Sequence, residues 1–271
     1  MNEDILIQRE YLEKAMELHR RYPVADAHLD LAGEVLLRSK LGEKEIINNR
    51  YLDNWKKAGL NLVMSSVYVP SVVLAEKGTE GAWEDARAQI EALKREAAYL
   101  SEICMIKNKE DLEQAIREEK IGILLYMEGL DCIGGKVERL EELYQRGVRG
   151  ASLTWSRQNM LATGCCKAGE YRQISGGLTS FGKRVVQELE RQQMFIDVSH
   201  LNDDGFADVA GLTEKPFLAT HSCARAVYDN YRNLTEEQID TIAKKGGVIG
   251  LNGCKLIAGS LSGNHLEMLC K

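Results

Sequence analysis

Ile121-Gly122-Ile123-Leu124-Leu125-Tyr126-Met127-Glu128-Gly129 is an apolar run closed by a carboxylate and a glycine. With no charge before Glu128 the run has no polar face, the pattern of a strand buried on both sides in a parallel sheet covered by helices. Glu128 stands at the mouth of that strand, where an ionised carboxylate without a partner is costly. Its position asks for something positively charged beside it.

Working outward from this strand, helical and strand-like segments alternate in both directions. Upstream, residues 109–119 read as a helix, and before them 80–102 place Trp83, Ala86, Ile90, Leu93 and Ala97 at spacings of three or four, a helix covering a sheet. Downstream come helices at 137–146, 179–193 and 235–245, the last opened by the capping-box pattern Thr235-Glu236-Glu237-Gln238. Seven strand-like runs alternate with them, at 24–30, 61–70, 121–129, 149–156, 195–200, 217–222 and 247–252. Repeated βα units predict an α/β fold, a TIM (β/α)₈-type barrel.

A closed barrel needs eight strands, and residues 253–271 offer only the opening of a helix at His265-Leu266-Glu267-Met268-Leu269. The sequence therefore predicts one hydrolase barrel domain over 1–271 with seven of the eight strands, lacking the C-terminal strand and helices. Only three prolines occur, and no low-complexity linker divides the chain.

Composition excludes several function classes. A net charge of −6 without a long Lys/Arg run opposes binding to a phosphate backbone, so no nucleic-acid partner is expected. The start, Met1-Asn2-Glu3-Asp4, is acidic where a secretion signal would be basic, and no apolar stretch approaches the roughly 20 residues that span a bilayer. A cytoplasmic protein with no membrane partner is the expectation. Seven cysteines without a C-x-x-C pair fit reduced thiols, and the adjacent Cys165-Cys166 reads as incidental.

Function in such barrels gathers at the carboxyl ends of the strands. Of the five histidines, three close or nearly close a strand-like run: His28 in Asp26-Ala27-His28-Leu29-Asp30, His200 in Asp197-Val198-Ser199-His200, and His221 in Ala219-Thr220-His221-Ser222. His28 and Asp30 are two apart on a strand and point to one face, an imidazole and a carboxylate suited to zinc. Taken alone, that pair reads equally as a core histidine beside a surface aspartate. With Glu128 between two ions, His28 and Asp30 on one and His200 and His221 on the other, every polar strand end is satisfied. Two metals about 3.5–4 Å apart share and acidify a water and stabilise charge on a carbonyl oxygen, which is amide hydrolysis. A deaminase or cyclic-amide hydrolase would use the same inventory.

In context the chain resembles the renal (membrane) dipeptidase family from its first strand-like run to its seventh. The resemblance is carried by Gly177-Leu178-Thr179-Ser180-Phe181-Gly182, Val185-Val186-Gln187-Glu188-Leu189 and Phe195-Ile196-Asp197-Val198-Ser199-His200. It continues through Ala219-Thr220-His221-Ser222, Arg225-Ala226, Arg232-Asn233-Leu234-Thr235 and Gly246-Gly247-Val248-Ile249-Gly250-Leu251-Asn252. It implies a dipeptide substrate, two Zn²⁺ ions held by His28, Asp30, Glu128, His200 and His221, and attack by a hydroxide bridging the ions. It implies that Arg232, otherwise readable as a surface salt-bridge arginine, binds the substrate carboxylate through its planar fork of donors. A homodimer is a further implication.

Two departures stand out. Trp155 occupies the place of a histidine that helps stabilise the oxyanion in the renal enzyme, which makes Trp155 a residue of the substrate pocket, and Asn159 in the same loop is expected to add a polar contact. The family's proton-transferring aspartate ends its eighth strand and has no counterpart among these residues. General acid–base assistance contributes about 10²–10⁴-fold, so the alternative reading is a catalytically impaired metal-binding barrel or a fragment.

Overall fold

The computed structural model describes residues 9–165, 175–259 and 268–270. In chain order the elements are α1 (Arg9–Arg21), β1 (Ala25–Leu29), α2 (Leu31–Lys40), α3 (Asp53–Ala58), β2 (Leu62–Tyr68), α4 (Ser71–Ala98), β3 (Ile103–Ile106), α5 (Lys109–Arg117), β4 (Ile121–Glu128), α6 (Arg139–Gln145), β5 (Val148–Ser152), α7 (Ser180–Arg191), β6 (Phe195–Asp197), α8 (Asp203–Leu212), α9 (Glu236–Lys244) and α10 (Lys255–Ala258). All strand pairings are parallel, in the order β1-β2-β4-β5-β6.

The apolar run from Ile121 is the centre of this sheet. β2 pairs with β4 from Leu62↔Gly122 to Tyr68↔Glu128. The opposite edge of β4 is shared: β3 takes Ile121 to Leu124, and β5 joins from Leu125 onward. Ile123, Leu125, Tyr126 and Met127 are fully buried, as a strand without a polar face requires.

Beyond β6 the sheet continues as a curl. Parallel bridges link Asp197 to Leu218 and Ala219 to Ile249. The backbone of 247–250 also approaches β1, since a Cβ on Gly250 would lie 2.9 Å from that of Ala27 and 2.1 Å from the Thr220 carbonyl oxygen. Only a residue without a side chain permits this double approach. The result is a mixed α/β half-barrel, the fold class predicted.

Helices cover the outer face through apolar stripes. Ala82, Trp83, Ala86, Ile90, Leu93 and Ala97 of α4 and Val185, Val186 and Leu189 of α7 are buried. Thr235 and Gln238 form the reciprocal capping box that opens α9. Among the described residues, no helix is long and apolar enough to cross a membrane.

The structure departs from the sequence expectations in three places. β3 was not foreseen, because four apolar residues between two helices carry no strand-length pattern and pair with only half of β4. The runs at 217–222 and 247–252 hold their places by isolated bridges and short backbone bonds instead of forming ladders. The helix expected at 80–102 begins at Ser71 and passes a kink at Gly78, whose φ of 62° and ψ of −167° glycine adopts without strain. Cys166 and most of the helix expected at 265–269 lie outside the described residues.

Candidate metal centre

Four strand-like segments send polar side chains to one point. His28 is the penultimate residue of β1 and Glu128 the last of β4. His200 follows β6, and His221 lies in the 217–222 segment. Gly129, at φ 80°, turns the chain immediately after Glu128.

His200 has φ 72°, a left-handed conformation uncommon for a side-chain-bearing residue. Its backbone carbonyl accepts from the Cys165 N–H at 2.8 Å, and the next turn is tied by Asn202 N–H to the Thr163 carbonyl at 3.3 Å. Strain of this kind persists where the surrounding loops over-determine it, and it concentrates at functional sites.

The side chains converge closely. His200 Nε2 lies 2.9 Å from Glu128 Oε1 and 2.9 Å from His221 Nε2. Glu128 Oε1 is 3.4 Å from His221 Nε2 and 3.7 Å from His28 Nε2, and Asp30 Oδ1 is 3.9 Å from His28 Nε2. The rings of His28 and His221 stack with centroids 3.6 Å apart. Ligand atoms of His28, Glu128 and His221 all fall within 4.8 Å of one another, a grouping able to hold a metal ion. Asp30 sits at the rim, 63% exposed, and accepts a hydrogen bond from Ser66 Oγ.

Burial sets the electrostatics. The Glu128 carboxyl is pushed up to about 8 by desolvation first, then by the charge of Asp30. Burial pushes His200 and His221 well below the ordinary imidazole range, with the Arg232 cation reinforcing it, and burial also lowers His28. Three imidazoles driven neutral and a carboxylate starved of a counter-charge form a donor set that a cation would satisfy.

A hydroxyl lies behind each imidazole. Ser156 Oγ is 2.8 Å from His200 Nδ1, Thr220 Oγ1 is 2.8 Å from His221 Nδ1, and the Tyr126 hydroxyl contacts His28 Nδ1. Thr220 Oγ1 in turn donates to Asp197 Oδ2 at 2.6 Å. Sequence reading singled out none of these partners. Asp197, a carboxylate inside an apolar strand, was the available signal.

Arg232 is 8% exposed, donates Nη1 to Ser222 Oγ at 3.0 Å, and has its buried Nη2 without a partner among the described residues. Among the described residues it forms no salt bridge, so the surface ion-pair reading fails. Trp155 borders the cluster, its ring 5.6 Å from His200 and 5.7 Å from Tyr68, centroid to centroid. Asn159 lies in the same loop: its Nδ2 donates to the Leu153 carbonyl at 2.9 Å, and its Oδ1 accepts from the Leu161 and Ala162 N–H at 2.8 and 3.2 Å. Both ends of the amide brace that loop.

Fold and site together define a parallel α/β half-barrel with a histidine–carboxylate centre at the carboxyl ends of its strands. The family described as membrane dipeptidase, peptidase family M19, matches residues 12–263, and the chain belongs to that family. It is 29% identical to human Dipeptidase 3 over 259 residues, covering 90% of this chain and 51% of that protein. It is 26% identical to an uncharacterised Acinetobacter calcoaceticus protein encoded in a PQQ-III 3′ region, covering 86% of this chain and 81% of that one. Among solved structures, a Rhodobacter sphaeroides metallopeptidase bound to a phosphinate mimic of the dipeptide L-Ala-D-Ala superposes with a TM-score of 0.76 at 26% identity, covering 87% of this chain and 75% of that one. A structure named dipeptidase AC gives 0.77 at 27% identity, covering 87% of this chain and 74% of that one. The chain thus spans about half the length of Dipeptidase 3 and three quarters of these two solved chains.

Proposed function

We propose that the protein hydrolyses dipeptides with two zinc ions, His28 and Asp30 holding one, His200 and His221 the other, and Glu128 reaching both. The observation that carries this reading is the convergence of His200 Nε2, His221 Nε2 and Glu128 Oε1 at 2.9–3.4 Å beside a buried arginine that has no acidic partner among the described residues. Acceptor atoms packed so closely repel one another unless a proton or a cation lies among them.

Zinc bound there would acidify water and stabilise the charge that develops on a carbonyl oxygen. The protein's own groups do the rest. Arg232, its Nη1 fixed by Ser222, presents Nη2 to the carboxylate of a dipeptide. Trp155 supplies an apolar wall beside His200, and the burial of Glu128, His200 and His221 keeps bulk water from competing. The similarity to a metallopeptidase solved with a dipeptide mimic supports the substrate class. A cytoplasmic, homodimeric protein belongs to the same proposal, supported by the cysteine pattern and the family resemblance.

The test is hydrolysis of a dipeptide panel by the purified chain, with zinc content measured on the same sample and Glu128→Ala as control. Turnover with about two zinc ions per chain, both lost in Glu128→Ala, is expected. Zinc retained without turnover on any dipeptide would overturn the enzymatic reading in favour of a metal-binding barrel.

A further inference from the structure

Asp197, Thr220 and His221 form a chain of hydrogen bonds whose direction is dictated by its buried end. Asp197 is fully buried, and its Oδ1 accepts the N–H groups of Ser199 and Thr220 at 2.9 and 3.0 Å. Its Oδ2 lies 2.6 Å from Thr220 Oγ1. A carboxylate only accepts, so the single hydroxyl proton of Thr220 belongs to that contact. Thr220 Oγ1 then has only lone pairs left for His221 Nδ1 at 2.8 Å, and that nitrogen must carry the proton.

We infer that Asp197, acting through Thr220, locks His221 in the Nδ1–H tautomer and holds its Nε2 lone pair toward Glu128 and His200. Asp197 and Thr220 are positioning residues for the site, preparing His221 as a ligand before any metal arrives. His200 and His221 differ in this respect. His200 Nδ1 meets the Ser156 hydroxyl, which among the described residues has no carboxylate behind it and can rotate to donate or accept. His221 is committed to one tautomer, and His200 can exchange its proton between its two nitrogens.

A locked tautomer matters because a histidine in the other form must move a proton before it can bind a metal. Outer partners of ligating histidines are worth about 10–100-fold in metal affinity. They are commonly a carboxylate or carbonyl in direct contact, whereas here a hydroxyl relays the carboxylate's preference.

Nitrogen-15 spectroscopy of histidine-labelled, chelator-treated protein reads the tautomer directly, so this inference stands or falls separately from the zinc reading. In the unaltered chain, His221 should show a pyrrole-like Nδ1 and a pyridine-like Nε2, unchanged in Thr220→Ser. Thr220→Val removes the acceptor, and Asp197→Asn frees the Thr220 proton, so each should introduce a population protonated at Nε2. Zinc affinity, measured by chelator competition, should fall about 10–100-fold in Thr220→Val and be restored in Thr220→Ser. A proton on His221 Nε2 in the unaltered chain would overturn the inference, and so would a Thr220→Val or Asp197→Asn spectrum identical to it. The unaltered chain and Thr220→Ser keep the test decisive should either of the other variants fail to fold.

Discussion

Glu128 and His221 reach the same cluster from regions built in opposite ways. Glu128 ends a strand in register with β2 from Gly122 onward, amid fully buried apolar neighbours, and the backbone ladder places it. His221 lies in a segment held by isolated bridges, and its surroundings are polar: Asp197, Ser199, Thr220 and Asn252 are all buried and hydrogen-bonded around it. The early half of the sheet positions its site residue Glu128 by backbone pairing and apolar packing. The late half does so through side-chain hydrogen bonds, which are directional and so fix rotamers and protons as well as position.

The largest effect that separates the two halves is expected from Asp197→Ala. It leaves the buried Ser199 and Thr220 N–H groups without their acceptor, and at about 1–3 kcal/mol for each orphaned group the loss in a urea melt should be on the order of 4 kcal/mol. A cost near zero would mean that backbone bridges alone hold the late half, and the contrast would collapse.

Glu128→Gln tests the early half, where a buried carboxyl is tolerated at a cost. Its folded-state value of about 8 lies above the ordinary 4.5, so the folded protein keeps a proton that the unfolded chain releases. In chelator-treated protein, stability therefore falls as pH rises from about 4.5 to about 8 and levels off above. The glutamine variant should lack this decline and exceed the unaltered chain by a few kcal/mol at alkaline pH. The buried histidines work in the other direction. Their lowered values make the unfolded chain the better proton acceptor below 6.5, so stability falls on acidification in both proteins. An upper slope that survives in Glu128→Gln would show that burial of Glu128 is not its source.

The smallest effect sharpens the comparison. Ser65, in β2, is fully buried, and its hydroxyl has no partner among the described residues. Ser65→Ala should leave the melting midpoint unchanged or raise it by up to about 1 kcal/mol equivalent, because an unmade hydrogen bond is removed along with the group that needed it. A clear loss of stability would show that early-half polar groups carry structure as the late-half ones do.

Much of the site was legible in the sequence. His28, Glu128, His200 and His221 each close a strand-like run, and strand ends in a parallel α/β fold face a common rim, so periodicity alone predicted their convergence. Arg232 was harder to read. Nothing local marks an arginine as buried, and its expected role rests on the resemblance; the structure adds that its buried Nη2 has no partner among the described residues. The loop-bracing bonds of Asn159 were not legible, because a polar loop residue looks the same whether it faces a ligand or ties its own loop. β3 was missed because its pairing with Ile121–Leu124 joins segments that share no pattern.

The sequence by itself determined the class of fold, the order of its βα units and the residue types at the strand ends, because those follow from spacing and hydrophobicity along the chain. Only the tertiary structure decided the left-handed turn at His200, the packing of 247–250 between β1 and Thr220, and the line of hydrogen bonds from Asp197 to His221. Each of these depends on atoms far apart in the chain meeting within a few ångströms. A sequence records which groups can donate or accept, but the direction in which a buried proton points is settled only when the partners are in place.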